Sequence, residues 1–372
     1  MEDQNSILDR IILSKQSTEI EHFNPTEVIS SLLKHLISRE EDVLRRRFGL
    51  TTKKSETLEE IGKSYSVTRE RVRQIENTAI TKIKKLKNFK ELMNPIENTI
   101  TSVLEQHGGI MQEDSLLKSL LHVSGYNNIN SQCVIFILSQ LLTNKFREIK
   151  QSKEFRVSWQ VNFASVTFLQ DVINQLFNII KEKNKPLKVD ELIEHFKKTK
   201  FFEEHKNQLT SDVVISYLET SQKISKNPFN EFGLSDWGSI IPKRMNDKIY
   251  LVLKKHGKPL HFTEITKRIN EINFDKRKAH PPTVHNELIL NDKYVLVGRG
   301  IYALREWGYQ PGVVADVLFN ILKKNVQPLS REELVNKVLE QRIVKKNTIH
   351  LALTDKNKFK KLDDGKYTLN NN

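Results

Sequence analysis

The sequence predicts a mostly α-helical protein: one helix-turn-helix followed by a row of small three-helix units, each closed by a β-ribbon. Three observations carry that prediction. Only 13 Gly and 10 Pro occur in 372 residues, which argues for helices with short connections. Residues 57–86 run as a short helix, a tight turn and a longer patterned helix. Beyond residue 95, helix, turn, helix, helix and β-prone pieces recur four times.

Taken in order, residues 1–24 read as a small helical extension. Asn24-Pro25-Thr26-Glu27 is a helix start, with a cap candidate, Pro in the first turn and then an acid. Helical spacing follows through Val28, Leu32, Leu33, Leu36 and Ile37 and continues through Val43 and Leu44, and Gly49 is a natural stop. Thr57 opens a short helix with Leu58, Ile61 and Tyr65 on one face. Gly62 and Ser64-Tyr65-Ser66 lead into a tight turn, and Thr68 caps the next helix.

The repeat aligns EQHGGIMQEDSLLKSL, KEKNKPLKVDELIEHF, KKHGKPLHFTEITKRI and KKNVQPLSREELVNKV. Pro186, Pro259 and Pro328 mark the turn in the last three, and Ile110 stands there in the first. A third helix follows in each (SQCVIFILSQLL, SDVVISYLET, PTVHNELILND, NTIHLALTDK), then β-prone pieces such as KYVLVGRGIYALREW. Three helices and a two-stranded ribbon are the pattern of a winged helix. Trp159, Trp237 and Trp307 end three of the ribbons, where a large ring closes a ribbon onto a small core. The expected divisions are 1–24 (extension), 25–92 (helix-turn-helix), and winged-helix-like units at 95–163, 166–241, 244–310 and 311–372.

Formal net charge is +14 and the pI about 9.5, a balance that points to a polyanion, nucleic acid before an anionic membrane surface. The lone Cys133, in the apolar run CVIFIL, excludes an internal disulfide and reads as core filler. No Cys/His spacing suits zinc. His261, His280 and His285 lack acidic or Cys partners at ligand spacing, so no metal and no cofactor are expected. No nucleophile elbow, P-loop or paired-carboxylate signature appears, so binding rather than enzymatic chemistry is expected. The acidic N-terminus has no signal-like apolar core, and no apolar run approaches the roughly 20 residues of a membrane span. A cytoplasmic protein is expected.

The longer helix, VTRERVRQIENTAITKIKKL, carries the candidate chemistry. Wound at about 100° per residue, Val72, Ile75, Ala79, Ile83 and Leu86 fall on one stripe. Glu70, Arg73, Gln74, Asn77 and Thr81 fall opposite, with Arg69 and Arg71 on either side. Arg forks onto guanine, Gln onto adenine, and Glu accepts from the cytosine amine. A helix-turn-helix presents such groups from the N-terminal part of its second helix. The plainer reading is a solvated helix with salt bridges such as Glu70 with Arg73. The helix TLEEIGKSYS three to four residues upstream favours DNA.

ISREEDVLRRRFGL, TLEEIG and VTRERVRQIE, in that order, resemble region 4 of the bacterial sigma-70 family over about residues 25–90. The resemblance implies a helix-turn-helix that reads the promoter −35 element in duplex DNA and docks on the β flap of RNA polymerase core. It assigns base readout to Arg69, Glu70 and Gln74, with Arg73 and Asn77 beside them on the same face. It assigns the DNA backbone to Arg47 and Thr57, and phosphates or neighbouring bases to Arg71 and Arg73. Thr68 at the helix start and Lys82, Lys84 and Lys85 of the basic run ITKIKKLKNFK are further backbone candidates. Thr78 stands where many members carry Lys. The promoter-melting region that lies upstream in complete sigma factors is expected to be missing.

KPLHFTEITKRIN, HPPTVHNELILND and YVLVGRGIYALREWGY, at 244–310, resemble a HARE-HTH winged helix, as in the RNA polymerase delta subunit. Gly298 and Gly300 would allow the ribbon turn, and Arg299 and Arg305 are wing candidates for phosphate. The expected function is promoter-like DNA binding on the bacterial nucleoid, with RNA polymerase contact. The rival is a polymerase accessory or defence-associated protein whose winged helices dock proteins or modified DNA.

Overall fold

The computed structural model describes residues 23–370 except 52, 53, 310 and 326. All but the last two residues of the expected extension, 1–24, lie outside the described residues. The chain is mostly helical with small antiparallel sheets. It divides into two units, one holding the chain to 225 with 231–235, the other 226–230 with 236 onward.

The first unit begins with α1 (Pro25–Leu33), which the Asn24 side chain caps by accepting from the Glu27 amide. α2 (Ser38–Phe48) follows and ends at Gly49, at φ 65°. The helix expected to run on from Val28 to Leu44 is thus two helices. The His35 and Leu36 amides turn back to Leu32 and Leu33, and Ile37 is extended and 62% exposed rather than core. That break lets Val43 face one cluster and Leu44 another. α3 (Leu58–Tyr65), α4 (Arg69–Lys84) and α5 (Phe89–Gln106) come next. α5 passes without interruption through the boundary expected at 92–95, with Pro95 inside it.

The repeats then follow one topology. In the first, β1 (Ile110–Gln112) and α6 (Glu113–Leu120) lead to α7 (Asn128–Phe136), which continues as a π-helical turn. β2 (Phe146–Ile149) and β3 (Ser158–Val161) complete a sheet of order β1-β3-β2. The second repeat runs α8 (Val166–Lys183), β4 (Leu187–Lys188), α9 (Val189–Lys197), α10 (Lys200–Glu204) and α11 (Ser211–Thr220). β5 (Ile224–Lys226) and β6 (Glu231–Leu234) close it in the order β4-β6-β5.

In the second unit the third repeat runs α12 (Met245–His256), β7 (Leu260–His261), α13 (Phe262–Ile272), α14 (Pro281–Leu290), β8 (Tyr294–Gly298) and β9 (Ile301–Leu304), in sheet order β7-β9-β8. The fourth has α15 (Val314–Lys324), α16 (Arg331–Leu339), α17 (Lys346–Ala352) and the hairpin β10 (Phe359–Lys361) with β11 (Tyr367–Leu369). In the first three repeats the short turn after the first helix also adds a third strand to the hairpin. In the fourth repeat that strand shrinks to one bridge, Leu329 to Tyr367.

One apolar core runs from Phe23 through Leu44, Ile83, Ile100 and Cys133 to Trp159 and Val161, joining the helix-turn-helix to the first repeat. Trp159 is 2% exposed and donates Nε1–H to Glu113 at 3.0 Å, closing its ribbon as expected. Trp307 packs half-buried on the third repeat, and Trp237 is half-buried. Cys133 is buried among apolar neighbours, and burial pushes its thiol up to about 11.

The third helices of the first two repeats face inward. Phe136 of α7 meets Phe48 of α2 at 4.7 Å, and Asn130 accepts from Thr26 of α1. On α11, Ser216 donates to the Ile110 carbonyl at 2.7 Å and Tyr217 to the Gly108 carbonyl at 2.8 Å.

Candidate nucleic-acid interface

The interface is built on α2, α3 and α4. The Thr57 hydroxyl accepts from the Glu60 amide at 3.2 Å while Glu60 accepts from the Thr57 amide at 2.7 Å, so each satisfies an open donor of the other at the start of α3. Ser66 ends α3 at φ 55°, and the Thr68 hydroxyl caps α4 by accepting from the Arg71 amide at 3.2 Å. The chain reverses so closely that a Cβ at Gly62 would stand 2.8 Å from the Val67 carbonyl oxygen. Val43, Ile61 and Val72 pack between the three helices, flanked by Leu58, Tyr65, Val67 and Ile75. Arg46 fixes the outside. It grips Glu56 through two bonds of 3.0 and 2.6 Å and donates to Ser64 at 2.8 Å. The Tyr65 hydroxyl donates to Asp42 at 2.7 Å.

On α4 the inner stripe is Val72, Ala79 and Ile83, with Ile80 added; Ile75 and Leu86, expected in the core, are half-buried. Arg69, Glu70, Arg73, Gln74 and Asn77 lie on the outer side, and all five are exposed. At the helical rise they span about 12 Å along one side, a length that fits a major groove.

In the free protein this face is partly paired with itself. Arg73 holds Glu70 through Nε at 2.9 Å and Nη2 at 2.7 Å, and Arg71 donates to Gln74 at 3.1 Å. The salt-bridged helix of the plainer reading is therefore present. It does not compete strongly with base contacts: both partners of the ion pair are more than half exposed, and solvent screens such pairs. The bond from Arg73 holds the Glu70 carboxyl below its usual range, so it is an ionised acceptor at neutral pH.

The expected backbone contacts divide. Thr57, Thr68 and Arg71 stand near the helix starts, although both hydroxyls already serve as caps. Lys84 and Lys85 are exposed at the end of α4, and partial burial lowers the Lys84 ammonium. Two others already have partners within the module. Arg47 turns inward, donating to the Glu56 carbonyl at 3.2 Å and pairing with Glu76 at 3.7 Å. Lys82 pairs at 2.6 Å with Glu40, whose side chain is only 8% exposed. Both hold helices together because buried or half-buried carboxylates need a cation nearby. Thr78, in place of Lys, bonds back to the Gln74 carbonyl at 2.8 Å.

The wing candidates are not brought together. Arg299 is exposed at the tip of the β8–β9 hairpin, between Gly298 and Gly300. Arg305 follows β9 at the opposite end, its amide bonded to the Lys293 carbonyl and its side chain 3.8 Å from Asp292. Gly300 has the positive φ a tight turn needs, 67°. Gly298 does not, and matters instead because a Cβ there would meet the Ile343 carbonyl at 2.6 Å. The histidines have structural surroundings: His285 stacks on Phe262 at 4.5 Å, His261 bonds Thr263, and His280 sits at the N-cap of α14.

Charge is divided unevenly, which the whole-chain value concealed. The second unit holds 27 Lys and Arg against 15 Asp and Glu, the first 33 against 31. The imbalance therefore lies almost entirely away from α4. Counting by domain in the sequence would have found it.

Residues 32–85 match the family model Sigma-70, region 4. The chain is also 49% identical over 71 residues to RNA polymerase sigma factor SigA of Bacillus sp, a stretch covering 18% of this chain and 19% of that protein. The family match falls on α2, α3 and α4 together with the end of α1.

Proposed function

We propose that this protein acts in transcription by binding promoter-like duplex DNA through α3 and α4, reading a −35-type element, and that it associates with RNA polymerase core through the β flap. The observation that carries this reading is the outward row Arg69, Glu70, Arg73, Gln74 and Asn77, on the second helix of a module that matches Sigma-70, region 4. Glu70, Gln74 and the arginines contact base edges, and Arg71, Lys84 and Lys85 contact phosphate. The helix-turn-helix, the winged-helix repeats and a HARE-HTH unit at 244–310 form the working parts. The repeated order of helix, strand, helix, helix and hairpin supports the winged-helix reading. The protein works by binding alone, on the nucleoid in the cytoplasm.

The test is fluorescence anisotropy of the full chain with a duplex carrying a −35-type element and with a scrambled duplex of equal length. Tighter binding to the first, weakening steeply with salt, is expected. Equal affinity for both would reject base reading.

A second reading, a polymerase accessory or defence-associated protein, is favoured by one observation. The third helices of the first two repeats are turned into protein contacts rather than left free for a groove. Retention of core polymerase in a pull-down without DNA, together with no sequence preference, would favour it.

A further inference from the structure

We propose that the second unit carries a docking groove for an acidic, amphipathic peptide segment of a partner protein. The groove, about 870 Å³, lies between the β8–β9 hairpin, the residues entering α15 and the stretch from Arg342 into α17. Leu296, Val313, Ile343 and Leu351 are 49, 65, 47 and 72% exposed, and all four line it. Scattered surface aliphatics need no explanation, but several gathered in one concavity mark an interaction site.

The wall is held open by polar bonds. β8 is an edge strand of its sheet. The Ile343 amide donates to the Val297 carbonyl at 2.8 Å. Arg342, 5% exposed, donates to the carbonyls of Leu296 and Gly312. Gly298 leaves room for the Ile343 carbonyl to approach. A preformed groove avoids much of the ordering cost of binding.

Charge selects the occupant. Arg299 and Lys345 are exposed cations of the lining, and among the described lining residues none is acidic. An aliphatic floor disfavours a phosphate backbone, which would lose hydration there without replacement. The cations disfavour a basic peptide. What remains is a segment with apolar side chains on one face and carboxylates on the other, the helix-in-groove mode. This inference does not rest on DNA reading by α4.

The test pans a random-peptide display library on the full chain and on the double variant Val313→Asp/Leu351→Asp. Both positions are more than half exposed, so an unchanged thermal midpoint is expected. Recovered peptides should place Leu, Ile or Phe at helical spacing among Asp and Glu. A chosen peptide should lose about tenfold or more affinity for the double variant, and Lys345→Glu should weaken it in the same direction. Lys345, on the surface, keeps the test valid if the double variant fails to fold. Recovery of basic peptides, or of none that depends on the groove, would overturn the proposal. So would loss of duplex affinity in the variants, which would make the groove a nucleic-acid surface. A dimer that dissociates on substitution would assign it to a second copy and equally overturn it.

Discussion

Glu70 and Glu113 show how one residue type takes opposite roles from its surroundings. Glu70 is exposed and kept ionised by Arg73. Glu113 is half-buried, and burial raises its carboxyl above the usual range, with Trp159 bonding partly offsetting this and Glu148 and Asp114 raising it further. A carboxyl whose folded value is raised stabilises the fold at pH below its unfolded value, and that contribution is lost as pH rises through the folded value. Glu113→Gln keeps an acceptor for Trp159 without the charge. It should therefore raise the thermal midpoint at pH 7 and give little or no gain near pH 4; an equal effect at both would contradict the burial argument. At this scale the sequence was only partly legible. The polar face of α4 followed from helical periodicity, but nothing local distinguished Lys84 from Lys82, which is also exposed yet pairs with Glu40 from 42 positions away. Arg47 likewise turns inward because Glu56 and Glu76 are brought to it by folding.

At the scale of elements, the helix-turn-helix is set by short-range features that the sequence displays: the Thr57 and Thr68 caps, the Gly49 stop and the Gly62 approach to the turn. Gly62→Ala should cost about 1–3 kcal/mol through this clash, measured as a lower denaturation midpoint of the full chain. An unchanged midpoint would mean that the turn relaxes freely. The third strand of the first three sheets was hidden because two or three residues beside a Gly/Pro turn carry no alternation to detect. The inward placement of α7 and α11 was also hidden. A buried third helix and an amphipathic exposed one look alike until the neighbouring repeat is in place.

Across the whole molecule, the family match and the excess of positive charge occupy different units. The module that matches Sigma-70, region 4 lies in the nearly balanced first unit, and the excess of Lys and Arg lies in the second. If the second unit binds phosphates, replacing the exposed run Lys276, Arg277 and Lys278 with Gln should lower the slope of log affinity against log salt by about 0.9 for each phosphate no longer neutralised. The preferred sequence should not change, and a changed preference would show that this run reads bases. Whether α4 reads base edges is decided by selecting duplexes from a random pool with the full chain, Glu70→Ala and Lys84→Ala. Base reading predicts that Glu70→Ala recovers a different consensus while Lys84→Ala recovers the original one at lower affinity. The same consensus from all three, with a uniform drop in affinity, would contradict it.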